Sequence, residues 1–290
     1  MIKQWLKLST IFGLLIIVLL WLTVSGNFYF WQDKDAPALS VYFFDVGEGD
    51  AIYIRAPNNF DVLIDGGPDK SVLAELGEAM PFWDKTIEAM ILTHPHSDHV
   101  TGLVEILRRY KVRQVYLNGV LNDANAYAAW LAEIKKKQVP AKIVDNLFEL
   151  QLGPEIKLQF LYPQSNIANQ KSAELNDTSI VTRLVYGESE FLFAGDAGEA
   201  EEKELLDSGV ILSSDVLKVG HHGSNTASSE EFLAAVNPQI AVIESGAGNE
   251  FFHPHPRTLS RLERLGVKIL RTDQLGTIKL SSDGKKIIEQ

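Results

Sequence analysis

The stretch "ILTHPHSDHVTGL", residues 91–103, holds His94, His96, Asp98 and His99 within six positions. Imidazole nitrogens and carboxylate oxygens are the donors that a borderline divalent cation takes, at about 2.0–2.2 Å. His94 and His96 stand two apart in extended chain, so their rings point the same way and can chelate one ion. Asp98 and His99 follow where the chain turns, and can face a second ion. All seven histidines of the chain fall in three such clusters, the others being "VGHHGS" (His221, His222) and "FHPHP" (His253, His255). Two carboxylates, Asp65 in "LIDGG" and Asp196 in "FAGDAG", end apolar runs in the same manner.

These residues divide into roles. Asp196 is placed to bridge two ions. Two ions about 3.5–4 Å apart can activate one water and clamp both oxygens of a displacement. His222, beside His221, is a candidate proton donor, substrate contact or supporting group, and which of the two is the ligand stays open. His253 lies in a proline-braced loop that can aim an imidazole at a leaving group, the plainer alternative for His253 and His255 being a structural turn. Asp98 doubles as ligand and catalytic carboxylate. Asp65 is expected to orient a ligand from behind. Asp45 and Asp50 read as turn formers, and Ser224 as a turn or hydrogen-bonding residue.

The elements that must hold these residues alternate between strand and helix from about Leu39 onward. "LSVYFFDVG", "DAIYIRAP", "FDVLIDGG", "TIEAMILT" and "VRQVYLN" read as strands. "SVLAELGEAM", "DHVTGLVEILRRY" and "DANAYAAWLAEIKKK" have helical spacing. In the last, Tyr127, Leu131 and Ile134 share one face and Asp123 is a plausible cap. "SIVTRLVYG" and "EFLFAGD" form a hairpin. "DVLKVGHHGS" and "QIAVIESG" are strands around the helix "SSEEFLAAV". The helix "RTLSRLERLG" precedes the strands "VKILRT" and "GTIKLSS". No linker divides residues 39–290, which read as one α/β domain.

Composition narrows the classes of function. The apolar fraction of 46% is that of a globule with a core. The net charge of −11 opposes strong nonspecific binding to polyanions, and the absence of cysteine excludes disulfides, thiolate ligands and cysteine nucleophiles. Two basic runs, Arg108–Arg113 and Lys135–Lys137, are more often solvated faces than nucleic-acid contacts. Residues 1–38 form a separate segment. Residues 8–32 carry no charge, with Lys3 and Lys7 before them and Asp33 and Asp35 after. Roughly 20 apolar residues span a bilayer. The charge asymmetry places the N-terminus in the cytoplasm and the remainder outside, as a single-pass anchor or, alternatively, a cleaved signal peptide.

The motifs together resemble the metallo-β-lactamase superfamily. Asp65, "HPHSDH", "FAGD" and "GHHGS" fit its first, second, fourth and fifth motifs. "FFDVGEGDAIYI", "ELNDTSIVTRLVYG", "LKVGHHGSNTASS", "FHPHPRTLSRL" and "RTDQLGTIKL" are similar to the corresponding domain of ComEC-like competence proteins, which act in DNA uptake. The resemblance implies a four-layer αββα sandwich with two divalent ions, zinc or manganese. Residues 100–195 contain no histidine, so the usual third-motif ligand is missing. "LNDTSIV" occupies its place, and Asn176 or Asp177 is read as the stand-in. Oxygen donors there shift the preference toward manganese. Glu48 stands where the subgroup has glutamine.

The expectation is a membrane-anchored, extracytoplasmic metallohydrolase. His94, His96, Asp196 and Asn176 hold one ion, and Asp98, His99, Asp196 and His221 the other. The resemblance points to a phosphodiester substrate, either DNA or a smaller diester of the cell envelope. An ester or lactone, or a noncatalytic binding role, are the alternatives. For DNA, the basic track would come from Arg108, Arg109, Lys111 and Arg113, or from Arg257, Arg261 and Arg264.

Overall fold

A computed structural model describes residues 38–290. The expected N-terminal anchor lies outside the described residues, and among those described no helix is long and apolar enough to cross a membrane. Residues 38–290 cluster as one compact unit. The first strands follow the apolar runs: β1 (Leu39–Phe43), β2 (Ile52–Arg55), β3 (Asp61–Ile64), β4 (Thr86–Leu92), β5 (Lys111–Leu117) and β6 (Ala141–Ile143). With β14 (Ile278–Ser282) and β15 (Ile287–Glu289) they make an eight-stranded sheet ordered β15-β14-β1-β2-β3-β4-β5-β6. The second sheet has seven strands, β7 (Phe148–Gly153), β8 (Ile156–Tyr162), β9 (Val181–Tyr186), β10 (Ser189–Phe193), β11 (Val216–Lys218), β12 (Ile240–Ile243) and β13 (Lys268–Arg271), in the order β13-β12-β11-β10-β9-β8-β7.

Each sheet has one face toward the other and one toward helices. The residues between the sheets, among them Phe43, Ile91, Phe160, Phe191 and Leu280, are buried and apolar. A second core joins the first sheet to α1 (Val72–Ala79), α2 (Ser97–Arg109) and α3 (Asn125–Lys137), with Trp130 fully buried. A third joins the second sheet to α4 (Glu199–Ser208), α5 (Glu230–Val236) and α6 (Pro256–Arg264). A short α7 (Thr272–Leu275) precedes β14. The four layers are helices, sheet, sheet, helices, so strands buried on both faces read as continuous apolar runs.

Some local expectations give way. The α3 face toward the core is Tyr127, Trp130, Glu133 and Ile134, while Leu131 is exposed. Trp130 has more apolar area to bury than Leu131, and that sets the rotation of the helix. Asp123 does not cap α3. The Asn122 side chain accepts from Ala124 N, and Asp123 is exposed opposite Lys171. β6, β7, β8 and α4 are elements the sequence reading did not assign: β6 and β7 are half exposed and α4 is dominated by charges, whereas β8 alternates apolar and polar residues as a strand should.

β3, β4 and β5 run parallel, as do β10, β11 and β12. Their C-terminal ends therefore share one rim, where loops carry the functional residues. α2 is held on that rim by close backbone approach. Gly66 N donates to His99 O at 2.8 Å and Gly102 N to Gly67 O at 3.1 Å. A Cβ on Gly102 would lie 1.8 Å from Gly66 O. Gly102→Ala is expected to cost at least about 1–3 kcal/mol, since backbone rather than a flexible side chain must move. A denaturant midpoint unchanged from that of the parent would contradict this contact.

Candidate metal centre

Four imidazole Nε2 atoms converge on one carboxylate oxygen. Asp196 Oδ2 lies 3.4 Å from His99, 3.5 Å from His222, 3.8 Å from His94 and 4.0 Å from His221. Asp196 follows β10, His94 and His96 follow β4, Asp98 and His99 open α2, and the His221–His222 pair follows β11. The donors thus come from both sheets. Asp98, His99, Asp196 and His222 form a group whose donor atoms all lie within 4.8 Å of one another.

The lone pairs are oriented from behind. Asp65 is fully buried and accepts from His99 Nδ1 at 2.8 Å, from Thr93 Oγ1 at 2.6 Å and from Thr93 N at 2.8 Å. Because the Thr93 hydroxyl donates to Asp65, its oxygen is free to accept from His94 Nδ1, 3.0 Å away. One carboxylate thereby fixes the tautomers of two rings, leaving each Nε2 facing the cluster. His222 Nδ1 donates to the Glu244 carbonyl at 3.0 Å, with the same effect. His94 Nε2 sits 3.0 Å from His96 Nδ1, so these two rings share one side of Asp196.

The sequence reading placed His221 on the second ion, gave His222 the role of proton donor, substrate contact or supporting group, and left open which of the two is the ligand. The structure brings both rings to Asp196, with His222 nearer. Both residues adopt left-handed backbone, φ 48° and 52°. That turn sends His222 inward, where Nε2 is 3.4 Å from Asp98 Oδ2. His221 turns toward the other side, where Asn176 Nδ2 is 3.1 Å from its Nε2. Asn176 lies in a single 3₁₀ turn with its side-chain oxygen buried, whereas Asp177 is exposed. The geometry therefore brings Asn176, not Asp177, to the cluster.

A divalent cation fits these residues. His99 Nε2, His222 Nε2 and Asp196 Oδ1 are buried without a hydrogen-bond partner among the described residues. Leaving such atoms unpaired costs about 1–3 kcal/mol each. Burial pushes His94 well below its ordinary pKa, which keeps its lone pair free. Burial also opposes charge on His99, but the carboxylates of Asp196, Asp98 and Asp65 outweigh it and hold that ring well above its ordinary value. The pocket demands positive charge, and donors of nitrogen and oxygen suit zinc, manganese or iron.

Three further residues were not legible as site residues. Asp50 is no turn former. It is fully buried and ion-paired with the fully buried Lys218, and its Oδ1 lies 3.2 Å from His222 Nδ1. Glu244 is buried beside them and accepts from Ala51 N at 3.0 Å. Burial, with Asp50 close by, raises its carboxyl well above the usual range. The one available signal was Lys218, a charged residue inside an apolar strand. At the mouth, Glu48 binds His253 Nδ1 at 2.8 Å and accepts from Gly246 N at 2.8 Å. The His253 ring lies 6.0 Å from that of His222 and 5.6 Å from that of His221, centroid to centroid. His255 instead caps α6, accepting from Arg257 N. Ser224 bonds Thr226 in its turn.

Most of the residues expected to bind DNA lie away from the mouth, although Arg257, in the first turn of α6 after His255, is exposed. Lys111 and Arg113 begin β5, and Arg108 and Arg109 end α2, at the opposite end of the sheet from the cluster. Arg261 is buried and bonds Ala227 O, Ser228 O and Glu199, and Arg264 pairs with Glu230.

Comparison with known proteins bears on the same residues. The chain is 31% identical to ComE operon protein 3 of Bacillus subtilis (strain 168) over 262 residues, covering 81% of this chain and 32% of that protein. It is 28% identical to Competence protein ComA of Neisseria gonorrhoeae, over 83% of this chain and 32% of that protein. It therefore spans about a third of the length of these relatives. Among solved structures, Igni18, a metallo hydrolase from Ignicoccus hospitalis KIN4/I, superposes with a TM-score of 0.53 at 15% identity, covering 83% of this chain and 98% of that one. The Metallo-beta-lactamase superfamily pattern matches residues 44–244. Running as it does from the loop before Glu48 to Glu244 beneath His222, that match establishes that the chain belongs to the metallo-beta-lactamase superfamily of metal-dependent hydrolases, with ComEC-like competence proteins as its relatives.

Proposed function

We propose that the chain is a membrane-anchored, extracytoplasmic phosphodiesterase using two divalent ions. The observation that carries this reading is the mouth: a cluster of cation donors with His253 held over it by Glu48. A bound divalent cation supplies Lewis acidity for phosphoryl oxygens and activates water. The protein residues supply the rest. Asp98, Asp196, His99 and His222 hold one ion. His94, His96, His221 and Asn176 border Asp196 on the side of the other. Glu48 accepts the Nδ1 proton of His253, so a ring that also carries a proton on Nε2 can give it to the leaving-group oxygen. Asp98, partly exposed, is the carboxylate that reaches the substrate side. The apolar run at residues 8–32 supports anchoring, and the charges flanking it support an outward-facing domain.

The competence proteins among its relatives support DNA as the substrate. Of the expected basic residues Arg257 alone is exposed beside the loop of His253 and His255, and this, together with the net charge of −11, favours a single-strand end or a small diester over a long duplex. The test is turnover of bis-p-nitrophenyl phosphate by the full chain loaded with Mn²⁺ or Zn²⁺, beside an aryl ester and a lactone. Diester turnover is expected, with little salt dependence, and His96→Ala should abolish it. Preferential turnover of the ester or lactone would move the substrate class. Inertness of the loaded protein toward all three would favour a binding module.

A further inference from the structure

The end of the domain opposite the metal centre carries a surface that hydrolysis does not use. β4 and β5 lead into the site at their C-terminal ends, so Thr86 and Lys111 begin about 20 Å away along seven-residue strands. Lys85, Arg109, Lys111, Arg113 and Lys137 line an open concavity there, with Tyr110 among them. All five cations are exposed. Arg109 pairs with Glu105 and Arg113 with Glu88. Lys85, Lys111 and Lys137 have no acidic partner within 4.0 Å among the described residues. In a chain of net charge −11 this is a local excess of positive charge.

Two large aromatics adjoin it. Phe82 and Trp83, in the loop just before Lys85, are 81% and 73% exposed. Their rings pack edge to face, with centroids 4.8 Å apart. Exposed aromatic rings beside lysine and arginine suit a lipid–water boundary, the rings at headgroup depth and the cations on anionic phosphates.

The path of the chain supplies a third, independent observation. Ser40 pairs with Arg55 and Arg55 with Asp61, while Val62 pairs with Ala89. The start of β1 therefore lies on the same edge as Thr86 and Lys111. The uncharged run of residues 8–32 precedes that edge in sequence.

We propose that this edge, with Phe82 and Trp83 inserted at the interface and the five cations on headgroup phosphates, docks on an anionic bilayer surface. Docked in this way, the domain points its metal centre away from the membrane. The proposal adds an orientation to the anchored reading, and the two can fail separately.

The chain has no cysteine, so single cysteines can be labelled cleanly. Full-length Phe82→Cys and Glu250→Cys, each carrying a polarity-sensitive fluorophore, are reconstituted on phosphatidylcholine vesicles with and without phosphatidylglycerol. Glu250 is exposed in the loop that carries His253. The label at position 82 is expected to shift to the blue and to be quenched by acyl-chain quenchers on the anionic vesicles. The label at position 250 should remain aqueous. Adding Lys85→Glu, Lys111→Glu and Lys137→Glu should reduce the acyl-chain quenching at position 82 at least tenfold on the anionic vesicles, and high salt should do the same. A label at position 82 that stays aqueous while the chain cosediments with vesicles would overturn the orientation and leave the anchor standing. Failure to cosediment at all would overturn both. A shift produced by single-stranded DNA but not by anionic vesicles would make the surface a nucleic-acid site instead.

Discussion

Asp196→Asn is expected to fold and to bind far less metal. Its main-chain supports, Asp196 N to Ser179 Oγ at 3.2 Å and Ala197 N to Ala194 O at 3.2 Å, do not involve the carboxylate. The Oδ2 atom is the point on which four imidazoles converge. An amide there presents at most one neutral oxygen, and it removes the charge that holds the histidines and a cation together. Elemental analysis after saturation with Mn²⁺ or Zn²⁺ should find close to two ions in the parent and less than half that content in the variant. Hydrolysis should fall to background. Parental metal content in Asp196→Asn would show that this carboxylate is not the shared ligand.

Asp65→Asn tests the orientation of the donors rather than their number. No donor facing the cluster is removed. Asp65 Oδ2, however, takes the Nδ1 proton of His99 and, through Thr93, steers His94. An amide nitrogen in that position would press a proton against the ring and favour the tautomer with hydrogen on Nε2. The lone pair then points away from the ion. Losses of about 10–100-fold in metal affinity follow from such changes behind a ligand. Titration of metal against a competing chelator measures the loss. If Asp65→Asn binds as the parent does, the rings are aimed by packing alone.

What could be read in the sequence was what is local. The run of His94, His96, Asp98 and His99 sits within six residues, and the strand before it is an apolar run of the expected length, so both the α/β class and the cluster of donor residues were visible. The choice between His221 and His222 was not, because it depends on two left-handed residues whose backbone decides which ring faces inward. Asp50 with Lys218, 168 residues apart, and Glu48 with His253, 205 apart, meet only when the sheets close. No periodicity encodes such pairs. Leu131 and Trp130 differ by one position on a helix, and the larger side chain won the core.

The origin of the donors also bears on folding kinetics. His94, His96, Asp98 and His99 belong to the first sheet and its helix, while Asp196, His221 and His222 belong to the second. A cation held between them acts as a clasp whose two halves are made separately. It gains its full coordination only after both sheets are built and brought together, a late event on any route to the native state. Interactions absent from the transition state slow unfolding and leave folding unchanged. Metal should therefore lengthen the lifetime of the native domain by lowering its unfolding rate, with the folding arm of the chevron left where it was. The sheets would assemble at their own pace, and the ion would decide how long they stay closed.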